Sequence, residues 1–164
     1  EHPYAGYNYR MTDIQASIGV TQMERAGDII SERQELAKNY NDALKELDFF
    51  QLPYENTNYE HGYQSYPCMF DIKNASLNKI KRVNEKRNMF MDALQKKGVS
   101  TRPATHAVHM LQYYREKYEV IPEDFPNAYI ANECSISFPL FNGLTDEEQC
   151  FVIKSMKEGY LNGY

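Results

Sequence analysis

Two polar side chains near the amino terminus have the chemistry of an anion site. Asn8 and Arg10 occupy alternate positions of a tyrosine-rich run, so in an extended loop both would point to the same side. An amide can donate hydrogen bonds to phosphate oxygens, and a guanidinium does so with a positive charge and a planar fork of donors. From the residues alone, the simpler interpretation is that both side chains cap the loop or the helix that follows it.

Arg102, His106 and His109 form a second group of candidate residues in one short segment. They make a poor metal site, because the two histidines have no third ligand at a suitable spacing. As an acid–base pair they would need an orienting carboxylate, which the sequence does not identify. Two neighbouring histidines are more often hydrogen-bonded surface or core residues than ligands. A Ser-His-Asp triad is excluded, because no nucleophile elbow is present.

The segment after Arg10 predicts the helix that would position the first group. Thr12 is an expected N-cap, and Gln15 three residues later completes a capping box. The helical pattern runs from Asp13 to near Gly27. Two apolar rows follow it: Met11, Ile14 and Ile18, and Ala16, Val20 and Met23. A helix that is apolar on two sides is predicted to lie between other parts of a protein.

The rest of the chain predicts short strands among helices. Helices are predicted at 28–47, 83–97, 113–118 and 127–132, and strands at 64–72, 99–102 and 134–138. The stretch 49–52 is predicted as a short strand or an extended exit from a helix. A final helix is capped by Thr145 and Glu148 and should end at Gly159.

Together these elements predict an α+β fold. The expected architecture is a two-layer sandwich, in which helices cover a small, mainly antiparallel three-stranded sheet and a long linking helix precedes it. A charged stripe on the second helix, which includes Glu32 and Glu35, is interpreted as a solvated face. At 164 residues the chain is expected to form one domain, or one domain with a connecting helix.

Composition narrows the classes of partner and the expected location. The net charge of −5 argues against nucleic acid as a partner, and no apolar run approaches the span of a membrane. Cys68, Cys134 and Cys150 sit among apolar residues without metal-site spacing, so reduced core cysteines of a cytoplasmic protein are expected. No signal peptide is visible, and the missing initiator Met suggests a start inside a longer protein.

Several segments, in this order, carry a family resemblance: GYNYRMTDIQASIG at 6–19, TRPATHAVH at 101–109, FPNA at 125–128, SISFPL at 135–140 and LTDEEQ at 144–149. They resemble the sugar aminotransferases of the DegT/StrS type. These are pyridoxal-phosphate (PLP) enzymes of the aspartate aminotransferase, or fold type I, superfamily. The resemblance spans nearly the whole chain. It implies that 1–27 is a cofactor-proximal loop and interdomain helix, and that 28–164 is the small C-terminal domain.

The resemblance also implies roles for the candidate residues. Asn8 and Arg10 match family positions that reach across a homodimer interface to the PLP phosphate of the other subunit. Arg102, His106 and His109 match a segment beside the nucleotide-sugar substrate. The lysine that holds PLP as a Schiff base belongs to the large domain upstream, and no lysine here matches its surroundings. No catalytic residue is therefore expected in this chain, which would be inactive alone.

The implied activity of the full-length protein is transfer of an amino group, from glutamate, to a keto-deoxysugar carried on a nucleoside diphosphate. Enzymes of this class serve surface-polysaccharide or antibiotic sugar synthesis. The segment 103–105 departs from many relatives at a place that should influence substrate choice. An alternative class is a non-catalytic binding or regulatory module that kept the small domain and lost the chemistry.

Overall fold

The computed structural model of the protein describes residues 6–161. The helices are α1 (Asp13–Glu24), α2 (Ala26–Leu44), α3 (Ile80–Lys96), α4 (Gln112–Tyr118), α5 (Pro126–Cys134) and α6 (Asp146–Leu161). The strands are β1 (Phe50–Gln51), β2 (Tyr66–Phe70) and β3 (Ser135–Phe138). Short 3-10 turns lie at Ile72–Asn74, Val108–Met110 and Pro122–Asp124. This set of elements confirms the predicted α+β class.

The three strands form one antiparallel sheet in the order β1-β2-β3. Phe50 pairs with Phe70 at one side, and Tyr66 pairs with Phe138 at the other. Along β2, Tyr66, Cys68 and Phe70 are buried and alternate with half-buried residues, as a strand with one face against the core requires. The alternation that predicted this strand is therefore confirmed, with its ends shortened to Tyr66–Phe70.

One predicted strand, 99–102, is wrong. Only Arg102 pairs with the sheet, through an isolated antiparallel bridge to Ser137. The amide of Val99 instead donates to the carbonyl of Leu94 at 2.9 Å, which completes the end of α3. Pro103 has no N–H to continue the pairing beyond Arg102. The third strand of the sheet is β1, which lies in the stretch after α2. For this stretch the sequence predicted either a short strand or an extended exit from a helix.

The core lies between the sheet and the helices. The rings of Phe49, Phe50, Phe70 and Phe90 meet mostly edge to face, and five of their pairs have centroids 5.6 to 6.0 Å apart. Helix α3 packs against α5 and α6, and α2 packs against α6. The sequence predicted that the last helix would end at Gly159. Instead, α6 continues past this residue, and Gly159 lies against the Phe90 ring.

Helix α1 stands apart from this core. The predicted capping box is present: Gln15 N donates to Thr12 Oγ1 at 3.3 Å, and Thr12 N donates to Gln15 Oε1 at 3.0 Å. The helix ends at Glu24, slightly before the expected boundary. None of its residues is buried, and Ile14 and Met23 are 76% and 73% exposed. Its two apolar rows are therefore uncovered here, and the expectation that they lie between other parts stays a prediction.

Two further expectations need correction. Glu32 is not simply solvated, because its carboxylate accepts hydrogen bonds from the backbone N–H of Gly143 and the side chain of Asn142. These bonds lower the pKa of the Glu32 carboxyl. Cys150 is exposed on α6, whereas Cys68 and Cys134 are buried as predicted. The helix pattern turns Cys150 outward, although three apolar residues follow it in the sequence.

No helix within 6–161 is long and apolar enough to cross a membrane.

Candidate functional site

The first candidate site is the exposed loop that leads into α1. Asn8 Oδ1 accepts a hydrogen bond from the backbone N–H of Arg10 at 3.2 Å, which makes a tight local turn. The Tyr7 and Tyr9 rings stack with centroids 5.6 Å apart. The bond to Arg10 uses only the oxygen of the Asn8 amide, so its NH2 group is left as a donor beside an exposed guanidinium. The loop thus presents donors suited to an anion.

Arg102 lines a surface groove of about 820 Å³. Its backbone is fixed by the bridge to Ser137, with Ser137 N donating to Arg102 O at 2.7 Å and Arg102 N donating to Ser137 O at 3.3 Å. The groove runs between the segment 98–102 and the start of α6, where Glu147 and Glu148 line it. A positive and two negative side chains therefore share this groove.

His106 and His109 lie in a different cavity of about 600 Å³, which we call the aromatic pocket. Its walls include His106, His109, Tyr114, Tyr118, Val120 and Phe125. The His109 ring centroid is 5.1 Å from that of Phe125. His109 Nε2 is buried and has no hydrogen-bond partner among the residues that the structure describes. A buried ring nitrogen of this kind is the polar feature of an otherwise largely apolar pocket.

The structure thus brings the two histidines together but separates them from Arg102. The groove and the aromatic pocket share no lining residue, and neither is lined by Asn8 or Arg10. Within the described part of the chain, no group of three or more His, Cys, Asp or Glu side chains is arranged to hold a metal ion. The candidate residues therefore form three separate surfaces.

A partly buried network holds the loop that carries the histidines, and the sequence reasoning missed it. Ser135 Oγ accepts a hydrogen bond from Ala104 N at 3.2 Å, and Asn132 Oδ1 accepts one from Ala107 N at 3.0 Å. Beneath them, Arg87 donates to the carbonyl of Ser135 at 2.8 Å. Burial lowers the pKa of Arg87, which the nearby Glu133 carboxylate partly offsets.

One of these residues left a signal in the sequence. Arg87 lies on the apolar face of α3, at helical spacing from Val83, Phe90 and Leu94. A charged residue at such a position is predicted to have a buried structural or functional role, since a charge is rarely buried without partners. Asn132 and Ser135 have no comparable signal, because their partners are distant in sequence.

Comparison with known proteins assigns the chain to a family. The model of the DegT/DnrJ/EryC1/StrS aminotransferase family matches residues 1–157. The chain belongs to this family. The family resemblance inferred from the motifs at 6–19, 101–109 and 125–149 is thereby confirmed.

The chain is also similar to individual curated proteins. GDP-perosamine synthase of Escherichia coli O157:H7 is 33% identical over 162 residues, which cover 97% of this chain and 39% of that protein. An uncharacterized protein of Methanocaldococcus jannaschii is 31% identical over 153 residues, which cover 93% of this chain and 38% of that protein. The chain therefore spans about two fifths of the length of the curated relatives it matches.

The fold is shared with solved structures as well. A structure from Streptococcus pneumoniae, described as a sugar aminotransferase in its PLP form, matches with a TM-score of 0.79 at 24% identity. The match covers 94% of this chain and 37% of that one. The helices and the small sheet described above therefore belong to an architecture found in larger aminotransferases.

Proposed function

We propose that this chain is the C-terminal part of a PLP-dependent enzyme that transfers an amino group, from glutamate, to a keto-deoxysugar carried on a nucleoside diphosphate. The family match over residues 1–157 carries the proposal, because it covers both groups of candidate residues. Identity of 33% to GDP-perosamine synthase supports a nucleotide-sugar substrate. Surface-polysaccharide or antibiotic sugar synthesis is the process that such a product would serve.

The donor chemistry of the first site fits the phosphate of PLP. Asn8 would donate through its NH2 group, and Arg10 through a charged, planar guanidinium. The turn made by Asn8 Oδ1 and Arg10 N fixes the backbone from which both side chains project. We propose that they bind the phosphate across a homodimer interface, with 1–27 as the cofactor-proximal loop and linking helix. The uncovered apolar rows of α1 support this role, because they fit a helix that packs against another part of the enzyme.

Bound PLP would supply the chemistry of amino transfer by taking the amino group from the donor and passing it to the keto carbon. The residues of this chain would hold the phosphate and orient the substrate. None of the lysines within 6–161 is buried, so none of them lies in the apolar setting that activates an amine. We therefore propose that the lysine that binds PLP lies in a large domain upstream, and that 28–164 acts as the small domain.

Arg102, His106 and His109 are proposed to contact the nucleotide-sugar. Two of them share the aromatic pocket, and the third lies in a separate groove, so an extended ligand would be needed to reach all three. A nucleotide-sugar has that length and carries both charged and neutral parts. The three free cysteines fit a reducing, cytoplasmic location for the enzyme.

The proposal is tested by reductive trapping of PLP. This 164-residue chain and the protein encoded by the complete reading frame would each be incubated with PLP, reduced with borohydride and digested for mass spectrometry. We expect a pyridoxyl-lysine upstream of Asn8 in the complete protein and none in this chain. The complete protein should also aminate a nucleotide-linked keto-deoxysugar with glutamate as donor.

Other outcomes would overturn the proposal in distinct ways. A specific modified lysine within 6–161 would place the cofactor site inside this chain. The absence of any adduct, together with the absence of amino transfer by the complete protein, would favour the non-catalytic binding or regulatory module.

A further inference from the structure

We propose that a cavity between the end of β2 and the first turns of α3 binds a phosphate group of a small, soluble ligand. We call it the basic cavity. Its volume is about 310 Å³, and it is lined by Asp71, Asn74, Lys79, Arg82, Val83 and Lys86. It shares no lining residue with the Arg102 groove or the aromatic pocket. The inference is therefore independent of the proposed function.

The segment around the cavity concentrates positive charge in an acidic chain. Residues 73–87 contain six lysines and arginines and one acidic residue, whereas the whole chain has a net charge of −5. Lys79, Arg82 and Lys86 are spaced by three and four positions and all line the cavity. Like charges at this spacing along a helix repel one another. An anion bound between them would relieve this repulsion.

Two of these cations have no acidic partner among the residues that the structure describes. Within 6–161, the ion pairs include Lys86 with Asp71 at 3.6 Å, but none is formed by Lys79 or Arg82. A lysine ammonium carries three N–H donors and a guanidinium carries five. Lys79 and Arg82 therefore present charged donors to the cavity that no carboxylate of the described chain occupies.

Asp71 holds the third cation at the wall of the cavity. Its carboxylate pairs with Lys86 and also accepts a hydrogen bond from the side chain of Asn74 at 2.6 Å. The Asp71 side chain is only 15% exposed, so this carboxylate is fixed among its partners. Three cations and one carboxylate leave a net charge of +2 in the lining. A phosphate group, with a charge of about −1.5 to −2 at pH 7, matches this excess better than a single carboxylate does.

The donor types and the size of the cavity both favour a compact phosphate. The planar fork of Arg82 can bind two phosphate oxygens at once, and the two lysines act as point charges beside it. The volume lies at the lower end of the range of roughly 300 to 1,000 Å³ for small-molecule sites. The cavity therefore suits a phosphate or diphosphate group. A membrane or a nucleic acid would instead need a broad basic surface.

The test uses the chain itself and needs no PLP. Inorganic phosphate and pyrophosphate would be titrated into the chain by calorimetry at constant ionic strength, with succinate as a dianion that lacks phosphate. We expect pyrophosphate to bind at a saturable site and succinate to bind more weakly. In a proton–nitrogen NMR spectrum, the amide signals of Asn74, Lys79 and Arg82 should shift with pyrophosphate, whereas that of His61 should not.

Variants locate the binding in the basic cavity. Lys79→Gln combined with Arg82→Gln should weaken pyrophosphate binding by roughly 5- to 30-fold, because both unpaired charges are lost. Both side chains are exposed, so the fold should be retained. Lys81→Gln combined with Lys96→Gln is the matched control. It removes the same charge from exposed positions of α3 outside the cavity and should bind pyrophosphate as the parent chain does.

The inference is overturned if the two double variants bind pyrophosphate alike, or if succinate binds as tightly as pyrophosphate. Amide shifts centred on Arg10 or Arg102 would place the anion at another site and overturn it as well. The absence of pyrophosphate binding would also overturn it, and binding to phosphatidylglycerol vesicles alone would replace the small ligand with a membrane surface. Amino transfer by the complete protein tests the proposed function separately, so the two failures are distinguishable.

Discussion

Asn132 Oδ1 accepts a hydrogen bond from the backbone N–H of Ala107 at 3.0 Å. Ala107 is buried and lies between His106 and His109, so this bond ties the histidine loop to helix α5. Asn132→Ala should lower the free energy of unfolding by about 1–3 kcal/mol, because it leaves a buried amide unpaired. It should also speed hydrogen exchange at the Ala107 amide, which NMR can measure residue by residue.

Asn84→Ala is the matched control for this change. Asn84 donates to the carbonyl of Glu133 at 2.8 Å, so it also joins a helix to α5, but its partner is an α5 carbonyl and not an amide of the histidine loop. Its removal should cost some stability while Ala107 exchanges as in the parent chain. Equal exchange rates at Ala107 in the two variants would show that Asn132 does not position the loop.

Arg10→Ala, made in the complete protein, should weaken PLP binding. Loss of a charge-assisted hydrogen bond costs about 1.5–3 kcal/mol, which corresponds to roughly a 10- to 150-fold increase in Kd. Equilibrium dialysis with spectroscopic detection of PLP measures the change. Lys81→Ala removes an equal charge from an exposed position on α3 and should leave Kd unaltered. Unchanged PLP affinity in Arg10→Ala would count against its phosphate role.

Glu32→Gln should change the pH dependence of stability. The backbone N–H of Gly143, followed by the side chain of Asn142, lowers the pKa of Glu32 below its ordinary value of 4.5. A carboxylate whose pKa is depressed by folding stabilises the protein above its unfolded pKa. This contribution is lost as the pH falls below about 4.5 and through the pKa of the folded state. The parent should therefore be more stable than the variant at pH 7, and the difference should shrink on acidification.

Urea denaturation at several pH values measures this difference directly. Folding also depresses the pKa of Glu148 and Glu158, but both are present in parent and variant and so cancel in the comparison. Glu35→Gln removes a charge from the exposed side of the same helix and controls for net charge. A stability difference that stays constant from pH 7 to below 4.5 would contradict the role assigned to the Glu32 carboxylate.

The features that sequence reasoning predicted correctly are local ones. The capping boxes at Thr12 and Thr145 are present because each joins residues three positions apart. Strand β2 was predictable, since alternation of apolar residues reports directly which side faces a core. The family motifs likewise lie in short, continuous runs, and the family match confirms what they indicated.

The features that were left open or missed depend on distant partners. Strand β1, for which the sequence allowed either a short strand or an extended exit, has only two residues, too few for alternation to decide, and it pairs with β2. The support of the histidine loop joins residues 25 and 31 positions apart, and the bond between Glu32 and Asn142 spans 110. No local pattern encodes such contacts. The roles of Asn8, Arg10, Arg102, His106 and His109 stay predictions for the same reason, because their ligands lie outside the chain.

Gly159→Ala should destabilise the fold through a steric conflict between α6 and α3. A Cβ atom at this position would lie 2.9 Å from Cε2 of the Phe90 ring, closer than real Cβ contacts allow. Phe90 is fully buried in the aromatic cluster, so its ring cannot move without disturbing the core. Overpacking of this kind costs about 1–3 kcal/mol, measurable by chemical denaturation.

Gly27→Ala is the control, because a Cβ there meets no atom within 4 Å, and the gain in helix propensity of α2 should stabilise the chain slightly. Destabilisation that is relieved when Phe90→Leu is combined with Gly159→Ala would locate the conflict at this contact, whereas additive losses would place its cause elsewhere.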